Sequence, residues 1–422
     1  MTEKLLHFIW QFQYFNKNEL FTEAGEPLQI IKQGLYNTNQ GPDFLEASIK
    51  VDSIVLVGNI ELHINASDWH KHQHAEDKNY NNTILHVVWY NDKPVLDKFG
   101  KQLPTLVLQH RVPKVMLLRY EELMNAGSGV LCKKFLPVLS EIGWHSWKER
   151  LVAERLETKS KKVLQLYEES NHHWEETFWW MLATNFGIKV NTLVFETIAK
   201  TIPINVLAKH KNQIHQLEAL LLGQANLLNG LFVDDYPNML KREYAFLQKK
   251  YALKQTSISP AFLRMRPAAF PTLRLAQLAM LIKTSSHLFS WCKKTGNINE
   301  LKEKFDVVAN DYWHYHYRFD EITDYKPKSL GQQMVDNILI NTVVPVLFAY
   351  GLHTKEEQYK EKAIRWLGEL APEHNSITKS WNGSGVTNSN ALDSQALIQL
   401  TNHYCKEKRC LQCAIGNKLL KA

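Results

Sequence analysis

The spacing of apolar residues changes near Pro113, and this change limits the possible fold more than any other feature of the chain. Before it, short alternating or β-branched apolar runs, bounded by turn residues, predict strands that follow one N-terminal helix. The predicted strands are LQIIKQG, LEASIKVD, IVLVGNIELHI, TILHVVWYND and LPTLVLQHRV. After it, apolar residues recur at helical spacing. The sequence therefore predicts an α+β fold class, with a mixed α/β domain at residues 1–115 and a large all-helical domain at 116–422 that could divide again near 255.

Length and composition indicate a soluble protein of more than one domain. The chain has 422 residues, more than a single hydrophobic core usually accommodates. Its 45% hydrophobic and 22% charged residues are ordinary for a globular protein, and its net charge of +7 permits nucleic-acid binding without requiring it. The N-terminus does not resemble a signal peptide, and no uninterrupted apolar run is long enough to span a membrane. We therefore expect a cytoplasmic protein that does not contact a membrane.

Metal-capable side chains are concentrated between Asn37 and His86. Asp43 follows a Gly-Pro turn, and Glu61 and His63 stand two residues apart in a predicted strand. Side chains two apart in a strand project from the same face, so Glu61 and His63 should lie side by side. A carboxylate and an imidazole on one face, with a second carboxylate from a neighbouring strand, can bind a divalent metal. The alternative is that both side chains face solvent on an edge strand.

A second group of such residues follows directly, in the segment ASDWHKHQHAED. If the segment is helical, His70 and His74 share a face at the spacing of two metal ligands. If it is extended, His70, His72 and His74 share a face. The pattern predicts that the rim of the site is lined by Asp68, His70, His74 and Asp77. The alternative is a solvated, histidine-rich loop.

Three of the five cysteines lie close together at the C-terminus, in the run HYCKEKRCLQCAIG. The C-x4-C-x2-C spacing of Cys405, Cys410 and Cys413 is typical of ligands to zinc or an iron–sulfur cluster. Such sites usually need a fourth ligand, for which His403, Cys132 and Cys292 are all candidates. The alternative is a cluster of reduced, partly buried thiols, because an odd number of cysteines without a secretion signal argues against disulfides.

The run RMRPAAFPTLR places Arg264, Arg266 and Arg274 around two prolines that stiffen the loop. Guanidinium groups bind phosphate through paired hydrogen bonds, so these arginines are candidate phosphate ligands. The alternative is that they pair with acidic residues of neighbouring helices.

The order of the predicted elements, with Asp43 before Glu61-x-His63, resembles the PD-(D/E)xK nuclease superfamily over about the first 110 residues. That motif usually ends in lysine, whereas here position 63 is histidine. The chain more closely resembles a bacterial family of unknown function. The segments that carry this resemblance are GPDF, GNIELHINASDWHKHQH, YNNTILHVV, RMRPAAFPTLRLAQL and the C-terminal cysteine cluster.

The nuclease resemblance implies a metal-dependent enzyme that hydrolyses phosphodiester bonds in DNA or RNA. Asp43, Glu61 and His63 would be catalytic, and Mg²⁺ or Mn²⁺ would be bound by Asp43, Glu61 and the backbone carbonyl of Leu62. The helical domain would form a nucleic-acid channel, and the cysteines would hold zinc or an iron–sulfur cluster. The alternative is an inactive nuclease-like protein that binds nucleic acid or acts as a scaffold, which the loss of lysine would allow. A more distant alternative is a metallohydrolase that uses the histidines on another substrate.

Overall fold

The structure is a computed structural model that describes residues 1–127, 129–136, 138–254, 256–284 and 287–421. Its internal contacts divide the chain into two compact units. The first unit comprises Met1–Trp144, Ser384–Val386 and Leu400–Ala422. The second comprises His145–Gly383 and Thr387–Gln399.

The first unit is built on a mixed sheet. Its helices are α1 (Glu3–Gln11), α2 (Asp68–Lys71) and α3 (Lys114–Asn125). Its strands are β1 (Leu28–Lys32), β2 (Leu35–Tyr36), β3 (Phe44–Val51), β4 (Ile54–Asn65), β5 (Thr83–Tyr90) and β6 (Thr105–Val107). The strand order is β1-β3-β4-β5-β6, with β2 also paired to β3. Neighbouring strands are antiparallel from β1 through β3 to β4 and parallel from β4 through β5 to β6. The sheet is therefore mixed, and β4 is the strand at which the pairing changes from antiparallel to parallel.

Strand β4 is the longest strand of the sheet, and it carries Glu61 and His63 of the candidate site. A two-residue turn joins it to β3, and Asp52 in that turn has a positive φ of 51°, as such tight hairpins require. The first part of β4 is exposed, whereas Ile60, Glu61, Leu62 and His63 are buried. The chain then crosses to β5 through α2 and a 3₁₀ turn at Lys78–Tyr80. Glu61 and His63 are therefore not on an exposed edge, because β4 is paired on both sides.

The second unit is helical. Its helices, which lie wholly or mainly within it, are α4 (Glu141–Glu169), α5 (Trp174–Phe186), α6 (Ile188–Thr201), α7 (Ile204–Lys209), α8 (Ile214–Gln224), α9 (Asp235–Lys250), α10 (Pro271–Thr284), α11 (Leu288–Lys294), α12 (Ile298–Phe305), α13 (Gln332–Ile338), α14 (Val344–Thr354), α15 (Glu357–Glu369), α16 (Ser376–Asn382) and α17 (Ala391–Leu400). A final helix, α18 (Ala414–Lys421), belongs to the first unit.

One helical stretch, Gln332–Thr354, is long and apolar enough by composition to cross a membrane. It consists of α13, a π-helical turn at Leu339–Val343 and α14. However, 72% of its most apolar window is buried within the protein. That burial is what the core helix of a soluble protein shows, and cytoplasmic localisation remains a prediction.

The predicted fold class is confirmed at the level of an N-terminal mixed sheet followed by a large helical region. The second and third predicted strands form the β3–β4 hairpin. The described C-terminal residues from Leu400 group with the sheet-containing unit. The domain boundaries at 115 and near 255, and the likeness of the sheet to a nuclease, stay predictions.

Packing between α8 and α9 leaves no room for a side chain at Gly223, where an added Cβ would lie 2.2 Å from ring carbons of Tyr244. We expect Gly223→Ala to lower the free energy of unfolding by about 1–3 kcal/mol, because the buried ring must move. The gain of about 1 kcal/mol in helix propensity only partly offsets this. Gly368→Ala in α15 is the matched control, since nothing lies within 4 Å of its added carbon. If both variants unfold at the same denaturant concentration, the result contradicts the close packing of Tyr244 against Gly223.

A buried carboxyl group in the second unit should make stability depend on pH. Glu218 is fully buried, and its Oε2 accepts hydrogen bonds from the Tyr236 hydroxyl at 2.7 Å and from Trp313 Nε1 at 3.0 Å. Burial raises the pKa of Glu218 from 4.5 to about 7, against the effect of these two bonds. Between those values the folded protein holds a proton that the unfolded chain has lost. Stability therefore falls as the pH rises from 4.5 to 7, by up to about 3 kcal/mol.

We expect Glu218→Gln to remove this slope, because an amide resembles the protonated carboxyl group in shape and stays uncharged. The variant should match the wild type near pH 4.5 and be more stable at pH 8. Unfolding by urea across that range measures the difference. Glu303→Gln, at an exposed position of α12, is the control and should keep the wild-type slope. A Glu218→Gln variant that also keeps the slope would show that another group titrates.

Candidate metal centre

Two carboxylates are held together where the start of β3 lies beside β4, at the end of the hairpin away from its turn. The Asp43 backbone N–H donates to Glu61 Oε2 at 3.0 Å, and Asp43 Oδ2 accepts the Leu62 backbone N–H at 3.0 Å. His7 of α1 brings its Nε2 to 3.2 Å from Asp43 Oδ2. These contacts fix the Glu61 carboxylate so that Oε2 is engaged by backbone and Oε1 is directed elsewhere. The predicted pairing of Asp43 with Glu61 is therefore present as a contact.

Four imidazoles gather on the Oε1 side of Glu61. His63 Nε2 lies 3.7 Å from Glu61 Oε1 and 3.2 Å from His72 Nδ1, and His74 Nε2 lies 3.4 Å from the same carboxylate oxygen. One ligand atom each of His63, His72 and His74 lie within 4.8 Å of one another. The other nitrogen of His63, Nδ1, is 2.8 Å from His86 Nε2 on the adjacent strand. This set can hold a metal ion through three imidazole nitrogens.

The crossover after β4 turns sharply enough to return two histidines to the strand. Helix α2 ends at Lys71 after a single turn, and Gln73 then adopts a positive φ of 58°. The residues on either side of it, His72 and His74, thus reach the same centre. Trp69 anchors the turn, since it is only 2% exposed and packs in a small core with Ala66, Val88, Val95 and Leu103. The loop is therefore neither a continuous helix nor a strand.

Burial sets the charge of these groups. It raises the pKa of Glu61 to about 9, with the negative charge of Asp43 acting in the same direction. It lowers the pKa of His63 to about 2 and that of His86 to about 3, and neighbouring imidazoles lower both further. His63 and His86 are accordingly neutral, which is the form in which imidazole binds a metal.

Three of the separations between donor atoms are close to those of a small tetrahedral site. Zn–N and Zn–O bonds of about 2.0–2.1 Å place tetrahedral donors about 3.3 Å apart. The pairs that surround Glu61 Oε1 and His63 Nε2 lie at 3.2, 3.4 and 3.7 Å. Imidazole-rich sets suit Zn²⁺ and Mn²⁺ better than Mg²⁺, which prefers oxygen ligands and water. The donors thus differ from the oxygen-only set of Asp43, Glu61 and the Leu62 carbonyl that the nuclease resemblance implies.

Buried polar atoms without a hydrogen-bond partner also lie here. His74 Nε2 and His86 Nδ1 are both buried and have no such partner. An unsatisfied buried polar atom costs about 1–3 kcal/mol. A cation between His74 Nε2 and Glu61 Oε1 would remove the cost at His74. His86, behind His63, occupies the position of a group that orients a metal-binding imidazole.

The residues predicted as the rim have mostly local roles. Asp68 Oδ2 accepts the Asn65 backbone N–H at 3.1 Å and its other oxygen pairs with Lys71. Asp77 caps the 3₁₀ turn through the Asn79 backbone N–H at 2.9 Å. His70 is exposed. Of the predicted rim, only His74 is in the histidine group, and that group includes His72 in place of His70.

The three arginines lie in the second unit. Arg264 and Arg266 are exposed, and Arg264 has a positive φ of 61°. Arg274 lies in α10, where burial lowers its pKa to about 10 and its Nη1 donates to Gln277 Oε1 at 3.0 Å. Their predicted role in phosphate binding stays a prediction.

Of the cysteines, Cys410 and Cys413 are buried and Cys405 is half-buried, all in the first unit. The candidates for a fourth ligand differ in where they lie in the structure. Cys132 lies in the same unit as these three, whereas Cys292 lies in the second unit. The third candidate, His403, faces Glu407, with its Nδ1 4.0 Å from that carboxylate.

Comparison with known proteins gives a family without an assigned activity. No curated protein matches the chain, and no solved structure matches it. The family model described as a protein of unknown function, DUF2851, matches residues 3–376, a span that includes the whole histidine group but ends before the C-terminal cysteines. No comparison supports the PD-(D/E)xK resemblance. Because the match covers most of its length, the chain belongs to the family of unknown function DUF2851.

Proposed function

We propose that the first unit is a metal-dependent hydrolase that cleaves phosphodiester bonds of DNA or RNA. Its metal would be held by His63, His72 and His74, and Glu61 would act as the general base. The observation that carries this proposal is the convergence of three imidazole nitrogens beside Glu61 Oε1. Zn²⁺ or Mn²⁺ is the expected ion because the ligands are imidazoles.

Each side chain has a distinct task in this centre. The ion would supply Lewis acidity to a phosphoryl oxygen and increase the acidity of an attacking water. Glu61 Oε1, 3.4 Å from His74 Nε2, is positioned to take the proton from that water once the positive charge of the bound ion lowers the pKa of Glu61 from about 9. Asp43 holds the other oxygen of Glu61 through its backbone N–H, so it is a positioning residue. His86 Nε2 holds Nδ1 of His63 and so directs His63 Nε2 towards the ion.

The choice of a phosphodiester rests on the order of elements. The unit runs α1, β1, β3, β4, α2 and β5, with Asp43 immediately before β3 and Glu61 in the middle of β4. That is the arrangement implied by the PD-(D/E)xK resemblance. In this reading His63 does not replace the usual lysine as a cation, because burial keeps it neutral; it is a metal ligand. The net charge of +7 is compatible with a polyanionic substrate.

Access to the centre also favours catalysis. His72 is exposed, and the Asp43 side chain is 21% exposed, so solvent reaches the centre at both residues. A purely structural ion is usually enclosed by four protein ligands, whereas a catalytic one keeps a position for water or substrate.

A second candidate is a nuclease-like protein that binds nucleic acid without cleaving it. It is favoured by the deep burial of Glu61 and His63, which are 5% and 1% exposed. If Glu61 is itself the fourth ligand, the site is closed and its ion only fastens the crossover to the sheet.

The deciding experiment is a cleavage assay on single- and double-stranded DNA and RNA. The protein is stripped with a chelator and then reloaded with Zn²⁺, Mn²⁺ or Mg²⁺. We expect cleavage to return with Mn²⁺ or Zn²⁺ and to be weaker with Mg²⁺. If the protein binds one ion per chain and no substrate is cleaved, the hydrolase proposal fails, and the affinity for the same nucleic acids then tests the second candidate. If it binds no ion, both fail.

A further inference from the structure

A second group of metal-capable side chains lies in the first unit, apart from the histidines. Cys132, Cys410 and Cys413 are 8%, 8% and 7% exposed, and Cys405 is half-buried. None of them forms a disulfide. Buried thiols that share a small volume without being oxidised are the usual ligands of zinc and of iron–sulfur clusters.

The four thiols are close enough to influence one another electrostatically. Burial raises the pKa of Cys132 to about 12, and the charges of Cys413 and Cys410 raise it further. Burial and the charges of Cys413, Cys132 and Cys410 raise the pKa of Cys405. Burial and the charge of Cys413 raise the pKa of Cys410 to about 11. Each of the four thiols is therefore close enough to interact electrostatically with the other three, although Cys132 is distant from them in sequence.

The backbone around Cys410 and Cys413 is shaped to present their sulfurs. The Cys413 N–H donates to the Cys410 carbonyl at 3.2 Å, which closes a tight turn. Backbone N–H groups of Ile415 and Gly416 donate to the Cys413 sulfur. A Cβ at position 416 would lie 2.1 Å from the Cys410 carbonyl oxygen, so only glycine permits α18 to begin against this turn. Backbone N–H groups directed at sulfur stabilise the thiolate that a metal requires.

Other contacts bring the segment that carries Cys132 to the same place. Arg119 Nη1 of α3 donates to the Leu419 carbonyl of α18 at 3.0 Å. Lys408 Nζ donates to the Met124 carbonyl at the end of α3. Cys132 follows α3 by a short connection. The C-terminal segment is thus fastened to α3 on both sides of Cys410 and Cys413.

We propose that Cys132, Cys405, Cys410 and Cys413 bind a [4Fe–4S] cluster, with Cys132 as the fourth ligand that the sequence left open. Each thiol would give its proton to a thiolate that leaves the incoming cluster and would bind the iron that this thiolate vacates, so no electron is transferred. This proposal is independent of the proposed hydrolase activity. The cluster would tie α3 to the C-terminal segment of the first unit.

The spacing of the sulfurs favours an iron–sulfur cluster over zinc. Tetrahedral zinc with Zn–S bonds of about 2.3 Å requires sulfurs about 3.8 Å apart. In the described part of the chain, three potential ligand atoms come within 4.8 Å of one another only at His63, His72 and His74. The thiols are therefore spread more widely than zinc requires. A cubane accepts wider spacing, because each thiolate binds a different iron corner.

The test is to purify the full chain without oxygen and to measure iron, acid-labile sulfide and zinc. We expect about four iron and four sulfide per chain, a brown colour, and an electron paramagnetic resonance signal after reduction. Apoprotein should regain the iron, the sulfide and the colour on anaerobic reconstitution with sulfide and equal amounts of ferrous and ferric iron, which together supply the mixed oxidation state of the cluster. Zinc in stoichiometric amount with no iron, or failure of reconstitution, would overturn the proposal.

Variants assign the ligands. Cys132→Ser and Cys413→Ser should each lose most of the iron, at least about tenfold. Cys292→Ser is the control, since Cys292 is also a buried cysteine but lies in the second unit, and it should retain the cluster. Far-ultraviolet circular dichroism, compared with the wild type, reports whether the serine variants are folded. Full iron content in Cys132→Ser would remove Cys132 as a ligand and overturn the four-cysteine site.

Discussion

Replacing His72 with alanine is expected to weaken the binding of Zn²⁺ or Mn²⁺ at least about 100-fold, whereas His70→Ala should leave it unchanged. Loss of a group that only orients a ligand typically costs 10–100-fold in metal affinity, so loss of a ligand should cost at least as much. His72 Nδ1 lies 3.2 Å from His63 Nε2, while His70 lies outside the histidine group. Competition with a chelator of known affinity measures both dissociation constants.

The two positions form a closely matched pair. Both histidines are exposed, and they stand on either side of Lys71. The substitutions therefore have the same composition, remove the same titratable group, and should disturb the fold equally little. Equal affinity in the two variants would contradict the arrangement of the crossover. A loss in His70→Ala alone would favour the helical arrangement, in which His70 and His74 share a face.

The strand-borne part of this centre could be predicted from the sequence. A strand repeats every two residues, so Glu61 and His63 had to share a face once IVLVGNIELHI was identified as a strand. The turn before β3 placed Asp43 at the neighbouring strand, and it contacts Glu61 as expected. The β3–β4 hairpin followed from the polar pair between two apolar runs. These features depend only on local periodicity, which the sequence displays directly.

The histidines that the loop after β4 contributes to this centre could not be predicted in the same way. Whether His70 or His72 joins His74 depends on α2 ending at Lys71 and on the left-handed conformation of Gln73. Glutamine carries no strong signal for that conformation, unlike glycine or asparagine. His86 was missed because its role depends on the parallel register that pairs it with Glu61. Its position in an apolar strand, where a histidine must be buried, was the available signal.

The fourth ligand of the cysteine group could not be predicted, because its candidates include residues that are distant in sequence from the other three. Local spacing identified Cys405, Cys410 and Cys413 as a group, but it could not choose among Cys132, Cys292 and His403 for the fourth position. That choice depends on which segment packs against α18, and the contacts of α3 with α18 are the reason that we propose Cys132. Contacts between segments that are distant in sequence cannot be identified from a single sequence.

Glu61→Gln is expected to reduce kcat/KM for phosphodiester cleavage by about 10²–10⁴-fold, the usual contribution of a general base. The amide keeps the shape of the side chain and can still accept the Asp43 backbone N–H, but it cannot take a proton from water. Metal affinity should fall much less than in His72→Ala, because three imidazoles remain. Steady-state cleavage and metal content are measured on the same preparations.

The comparison of these two losses separates a catalytic Glu61 from a structural one. If Glu61 is the general base, Glu61→Gln loses cleavage while retaining its ion. If Glu61 is the fourth ligand of a closed site, the same substitution lowers metal affinity as strongly as His72→Ala, and the hydrolase proposal loses its base. Glu76→Gln, at an exposed position of the same loop, is the control for the change of charge and should match the wild type in both measurements.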